Sequence, residues 1–434
     1  MNAAQGSLAE ERLKGAEEDV PPTGSFLERF DSTPEAEQWP LVRSWVNNYP
    51  IPFFKELREN RPILKTPVCT LLARFDDLTE TVSIPRTFTV ALYKPKMGDY
   101  LMTEDDTPMH NNEKSIMLSL LKREDLPRIR ELIATRAKET LDRANGEIDL
   151  VPNYARTVPT AMVQEHFGLD GIDPKHLIKW SYWNQYDAFH NQFFHDAPNP
   201  EEIIRKRENS NRWLGLYIGF LIARKWVMNK LGKSKDDVVY RILQADYPEE
   251  ANFNLLRQGI NAGGLLIGAV ETTSMAVSQA VEGILDRPEI FTLAVAAAKE
   301  GDNDAFDPIV WEALRFNPAF KYMFRTASED YTVAKGTERE TQIAKGTTIL
   351  PLMLSAMFDP EAFDDPDTFN PARPYGNSFH FGFGSHECMG KEIGRVMIPE
   401  MVKQVLLRPK IQAQGSIDRS GGAVPEHYHL KWQA

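Results

Sequence analysis

Apolar residues in this chain recur mostly three and four positions apart, the spacing of a buried helical face, and only short stretches alternate as a half-buried strand would. The helical spacing predicts helices over 76–82, 109–121, 126–144, 158–167, 176–194, 200–231, 307–316 and 391–407, with a further helical region at 26–61 broken by Pro40, Pro50, Pro52 and Pro62. Alternation predicts a strand at 67–75. Val68, Thr70, Leu72 and Arg74 face one way; Cys69, Leu71, Ala73 and Phe75 face the other, which makes Cys69 a small buried hydrophobe. Strand-like pieces follow at 330–333 and 341–354, and short strands and turns at 411–432, while 88–102 is irregular. The expected fold is mainly α with small β-sheets.

One helix stands apart. No proline occurs between Pro248 and Pro288, which leaves room for a long helix over 251–286. It carries Gly263, Gly264 and Gly268, and each glycine costs roughly 1 kcal/mol against alanine inside a helix. Something must therefore approach its backbone closely, either a neighbouring helix or another group. Glu271 and Thr272 sit in its otherwise apolar run, and a buried Glu is expensive without a partner.

The 42% apolar content suits a sizeable soluble core, and the net charge of −12 argues against a nucleic-acid or anionic-membrane surface. The two cysteines, Cys69 and Cys388, make no disulfide framework, so a reducing cytoplasm is expected. Residues 1–24 are polar and acidic and read as a mobile tail with neither signal peptide nor membrane anchor, leaving 25–434 as a single domain. No window is expected to span a membrane; 214–228 is too short and holds Arg224 and Lys225.

The chemistry gathers at Phe381-Gly382-Phe383-Gly384-Ser385-His386-Glu387-Cys388-Met389-Gly390. Glycines let backbone N–H groups approach the sulfur, and the helix expected to start just after Cys388 turns its positive end toward it. Both favour a thiolate. A thiolate so held suits an axial ligand to haem iron; the bland alternative is an inert cysteine in a glycine-rich turn.

Phe381, Gly384, His386, Cys388 and Gly390 fill every fixed slot of the haem-binding signature of the cytochrome P-450 superfamily, and the chain resembles its soluble, bacterial-type members. Four further landmarks resemble the family in order. Asp106-Thr107-Pro108-Met109-His110, with Lys114 where Arg is more usual, resembles the propionate-binding segment. Gly268, Ala269, Glu271 and Thr272 resemble the oxygen-activating helix, with Thr273 as second choice for the working hydroxyl. Glu312-Ala313-Leu314-Arg315 is followed by Arg325, and Phe369-Asn370-Pro371-Ala372-Arg373 supplies Arg373 for a charged triad with Glu312 and Arg315.

The resemblance implies a single-domain P-450 fold with haem b between the long central helix and the Cys-loop helix. It implies Cys388 as iron ligand, His386, Arg325, His110 and Lys114 as propionate partners, Phe381, Gly382, Gly390 and Ala269 lining the cofactor, and Glu271 with Thr272 or Thr273 relaying protons. The implied reaction inserts one oxygen atom from O2 into a lipophilic substrate, fatty acid or terpenoid-like. Electrons come from a separate ferredoxin or flavodoxin, which meets a local basic surface at Lys391 and Arg395. The alternative is a haem-thiolate peroxygenase or hydroperoxide isomerase. Pocket residues are expected in 88–105, 180–195, 263–273 and 320–324, with the aromatic helix around Trp180, Tyr182, Trp183 and Tyr186 as a roof and His190, Lys321 and Tyr322 as polar anchors.

Overall fold

Three aromatic side chains near the start, Phe26, Trp45 and Phe53, pack ring to ring at 5.2–5.5 Å and draw three short helices together, Phe26–Ser32, Glu35–Asn48 and Pro50–Asn60. Pro50 opens the third helix, where its missing N–H is no loss. Pro40 does not break the second as expected. It forfeits one ladder bond, and burial of Trp39, Val42, Trp45 and Val46 carries the helix through. The computed structural model describes residues 24–434, so the tail expected at 1–24 lies, but for Gly24, outside the described residues.

The chain divides into two compact units, each drawn from two stretches of sequence. The first comprises 24–90 and 312–387. Its five-stranded sheet runs Ile63–Lys65, Thr70–Leu72, Thr348–Pro351, Arg325–Ala327, Phe88–Thr89 across the sheet, with Thr70–Leu72 and Thr348–Pro351 parallel and the other pairs antiparallel. The strand expected at 67–75 is only Thr70–Leu72, and all three residues are buried, because it pairs on both edges and is covered on both faces. Cys69 is buried as expected. The piece expected at 341–354 is two strands, Thr341–Ile343 and Thr348–Pro351, followed by a helical turn, Met353–Ala356.

Glu312 and Arg315 meet in this unit as a two-pronged pair at 2.8 and 2.9 Å. Arg373 stands 3.5 Å from the same carboxylate, and the Asn370 N–H donates to it at 2.9 Å. The expected charged triad therefore forms, with Arg315 donating further to the Met357 and Thr368 carbonyls.

The second unit, 91–311 and 388–434, is helical apart from one three-stranded antiparallel sheet, Glu147–Asp149, His429–Lys431, Gln412–Ala413. Its helices include Pro108–Leu120, Leu126–Arg143, Pro174–His190, Pro200–Lys230 and Lys391–Leu406, close to their expected bounds. The helix expected at 158–167 is a short α-helix, Thr157–Met162, between two wider π-turns.

The long central helix is two helices, Leu255–Ala269 and Glu271–Leu285, interrupted at Val270. By length and composition alone, 255–285 is long and apolar enough to cross a membrane. Its most apolar window is 78% buried within the protein, as befits a core helix.

Candidate active site

The interruption at Val270 has a local cause. The Thr272 hydroxyl donates to the Gly268 carbonyl at 2.6 Å and so competes with the backbone for that acceptor. Gly268 is exposed, Ala269 and Thr272 are half-buried, and a Cβ added at Gly268 would meet nothing within 4 Å. Thr273 is buried. The helix pair thus opens on one side at Gly268, Ala269 and Thr272 while its flanks are packed.

Of the other two glycines, Gly264 is explained by close contact. A Cβ at Gly264 would lie 2.2 Å from the Tyr100 ring, so the buried tyrosine rests directly on the helix backbone. Gly263 faces Leu214 at an ordinary 3.8 Å. Burial pushes the Tyr100 phenol well above its ordinary pKa, and the charges of Cys388 and Glu113 add to the shift, which puts Tyr100 within electrostatic reach of the cysteine. Tyr100 carried no signal in the sequence beyond its place in an irregular aromatic stretch.

Glu271 points away from the open side. Its carboxylate receives the Arg156 guanidinium in a fork, Nε to Oε2 at 2.9 Å and the terminal nitrogen to Oε1 at 2.9 Å. Arg156 also donates to Glu426 at 3.0 Å and to the Pro425 carbonyl at 3.1 Å, and the Tyr182 hydroxyl donates to Glu426 at 2.6 Å. Burial pushes the Glu271 carboxyl above its ordinary range while the guanidinium pulls against it. Burial alone would lower Arg156, but the carboxylates outweigh it and hold the guanidinium firmly charged. Arg156 is the functional residue that sequence reasoning missed. It is the lone charge between Leu150 and Gln164, and a Glu in an apolar helix calls for such a partner.

Cys388 is an exposed free cysteine at the N-terminal end of the helix Lys391–Leu406, which begins after Gly390. A Cβ at Gly390 would lie 3.7 Å from the sulfur. The helix that follows Cys388 packs on Glu271–Leu285, so the sulfur's helix and the opened helix belong to one packed body.

His110 and Lys114 lie on one face of Pro108–Leu120, whose N-cap is Thr107, accepting from the His110 N–H at 3.1 Å. His110 is buried with Nδ1 2.7 Å from the Leu101 carbonyl, and Lys114 is half-buried. Between them Glu113 accepts from Arg257, Nε to Oε1 at 2.5 Å and a terminal nitrogen to Oε2 at 2.7 Å, and from Asn261 at 2.6 Å, which locks this helix to Leu255–Ala269.

The remaining candidates sit in the first unit. Arg325 is buried on its strand and donates to the Phe324 carbonyl at 2.8 Å. His386 ends the turn Gly384–His386, and Phe381, Gly382 and His386 are half-buried. Gly384 has φ +68° and a Cβ there would come 3.1 Å from the Val82 carbonyl oxygen, so this position requires glycine.

The Lys321 ammonium donates to the Val46 and Asn47 carbonyls at 3.2 and 2.9 Å and ties down a helix end. Burial, with help from Arg419, pushes His190 down to about 3. The aromatic helix Pro174–His190 turns a polar face inward, Ser181, Asn184, Gln185 and Asp187. The Ser181 hydroxyl donates to the Leu266 carbonyl at 3.1 Å.

A solvent-reachable cysteine at a helix N-terminus, packed with a central helix that opens at small residues and a hydroxyl, suits a flat prosthetic group bound through sulfur. The sequence model of the cytochrome P450 family matches residues 305–419. Over that stretch the chain is similar to the cytochrome P450 family. It is 26% identical over 366 residues to cyclomarin C epoxidase CymV of Salinispora arenicola, covering 79% of this chain and 85% of that one. It is 22% identical over 395 residues to cytochrome P450 109 of Bacillus spizizenii, covering 88% and 89%. In fold it matches the solved structure of CalO2 with a TM-score of 0.75 at 18% identity, over 89% of this chain and 96% of that one. CYP109E1 from Bacillus megaterium in complex with testosterone matches with a TM-score of 0.73 at 19% identity, over 89% and 99%. Relatives are named as an epoxidase, a steroid monooxygenase and a hydroxylase, and members of that family bind haem b through a cysteine thiolate.

Proposed function

We propose that this protein is a cytochrome P450 that inserts one oxygen atom from O2 into a lipophilic substrate, with Cys388 as the thiolate ligand. The observation that carries the reading is the placement of an exposed Cys388 in one packed body with the opening at Gly268, Ala269 and Thr272. Haem, when bound, supplies the activation of O2 and the oxidising power. The helix end beyond Gly390 stabilises the Cys388 thiolate. Ala269 and Gly268 leave room against the cofactor, and Gly390 keeps space beside the sulfur. His110 and Lys114 offset propionate charge; Lys114 does so as a point charge, without the fork of an arginine. Phe381, Gly382, His386 and Arg325 enter the proposal through the resemblance of their motifs.

On the open side, Thr272 Oγ1 holds a proton where oxygen is consumed. Glu271, the relay partner that the resemblance implies, faces Arg156 rather than the open side and braces the helix beside Thr272. Thr273, buried, is not the working hydroxyl. The presence of the Thr272 hydroxyl on the open side favours this reading over peroxide-driven chemistry.

Electrons come from a separate ferredoxin or flavodoxin docking near Lys391 and Arg395, and the protein works in the cytoplasm. Relatives named for epoxidation of cyclomarin C and for steroid C26 oxidation support a lipophilic substrate. A spectral binding screen across fatty acids, terpenoids and aromatics identifies it.

Reduced protein under carbon monoxide should show the red-shifted band of thiolate ligation, and Cys388→Ala should lose it. With reductant and O2, Thr272→Val should lower product formed per electron consumed by roughly 100-fold, the low end of what a positioned proton donor contributes. Turnover with hydrogen peroxide and none with reductant and O2 would overturn the monooxygenase reading. Charge reversal at Lys391 and Arg395 should slow reduction and weaken its salt dependence.

A further inference from the structure

The geometry points to a second metal site, for a divalent transition ion of the Zn2+ type, formed by Asp149, His427 and His429 on the three-stranded sheet of the second unit. His427 and His429 are two apart on the C-terminal strand segment, so both rings leave the same face. They stack parallel, at 0° and 6.2 Å between centroids. Asp149 lies directly opposite His429 in the antiparallel register, on the neighbouring strand. Ligand atoms of all three residues lie within 4.8 Å of one another.

The first coordination sphere is largely built. His429 sits on the central strand, held on both edges, and its own carbonyl accepts from the Gln414 N–H at 2.9 Å. Asp149 Oδ1 is steered by the Tyr428 N–H at 3.0 Å, which leaves Oδ2 turned to His427 Nδ1 at 2.6 Å. A zinc bound at about 2.1 Å to each ligand needs ligand atoms roughly 3.4 Å apart, so small side-chain rotations suffice. On binding, the ion replaces the proton shared between His427 and Asp149, and that proton leaves to water.

Two imidazoles and one carboxylate suit Zn2+ and neighbouring transition metals and are a poor set for Mg2+ or Ca2+. Both histidines are exposed, so water completes the shell. A surface cavity of about 620 Å3, lined in part by Asp149, Asn153, Gln414 and His429, lets a hydrated ion approach. The ion would clamp the segment that follows Pro425 and Glu426, two residues that accept from Arg156.

Equilibrium dialysis of the untagged holoenzyme, first stripped with chelator, against micromolar Zn2+ tests the site by metal analysis. One zinc per chain beyond the haem iron is expected, with no comparable uptake of Mg2+. Zinc affinity should fall about tenfold or more in His427→Gln, His429→Gln and Asp149→Asn, and be unchanged in His176→Gln, an exposed histidine elsewhere. The carbon monoxide spectrum reports that each variant is folded. Absence of zinc uptake by the wild type, equal uptake of Mg2+, or full zinc binding by the H427Q/H429Q double variant overturns the proposal.

Discussion

Replacing Arg156 with methionine removes a cation without opening a large hole. The Arg156 side chain is 9% exposed and the Glu271 carboxylate 1%, so the substitution strands a carboxylate in the core. It also removes the donors to Glu426 and the Pro425 carbonyl. Glu426 is 22% exposed and recovers water, so most of the damage falls on Glu271. Breaking one partner of a buried pair costs about 3–5 kcal/mol, whereas removing both charges together is close to neutral. Arg156→Met should therefore lose about 3–5 kcal/mol at neutral pH, and the double variant Arg156→Met with Glu271→Met should regain most of it. The pH dependence has a definite sign. Without Arg156 the folded-state pKa of Glu271 rises further above its unfolded value, so the penalty is present above that pKa and relieved as pH falls through it. Urea unfolding of the haem-loaded protein, followed by circular dichroism at neutral and mildly acid pH, measures both. A loss under about 1 kcal/mol, or losses that simply add in the double variant, would refute the reading of Glu271 as a charge held by Arg156.

Three further outcomes follow from packing and charge. Gly264→Ala should destabilise by about 1–3 kcal/mol despite its better helix propensity, because its methyl would collide with the Tyr100 ring, and adding Tyr100→Ala should relieve that steric part, as thermal unfolding of the pair will show. Arg315→Lys keeps the charge beside Glu312 but loses the fork, so it should cost about 1–3 kcal/mol in the same assay, and an unchanged midpoint would count against the triad as a structural brace. Burial pushes His166 down to about 4 and His190 to about 3, below the ordinary 6.5. The unfolded chain therefore binds protons that the folded one does not, and stability should fall as pH drops from about 6.5 toward 4, a fall flattened in H166Q/H190Q and read from melting temperature against pH.

What this sequence determined by itself was whatever rests on local rules. Thr107 and Pro108 start a helix because a hydroxyl cap and a preset φ do so wherever they stand. The ordered glycines around Cys388, followed by a helical run, announced the sulfur site, and Glu312 with Arg315 three residues on announced a pair. Family motifs supplied the expectations for the rest of the haem chemistry in order along the chain. Tertiary structure decided what depends on residues distant in sequence. Arg156 and Glu271 are 115 positions apart, so no spacing could join them, and only packing shows that Glu271 faces a cation rather than the open side. Pro40 stays inside a helix because the tryptophans around it are buried by neighbours the local sequence does not name. Gly264 serves Tyr100, while Gly268, four residues on in the same helix, faces open space; the two are identical in sequence terms and differ only in what the fold brings up to them. Asp149, His427 and His429 come together for the same reason: an antiparallel register sets two distant stretches of chain side by side. Local propensity and motif chemistry travel with the residue, whereas burial, partnership and open space are properties of position in the folded chain.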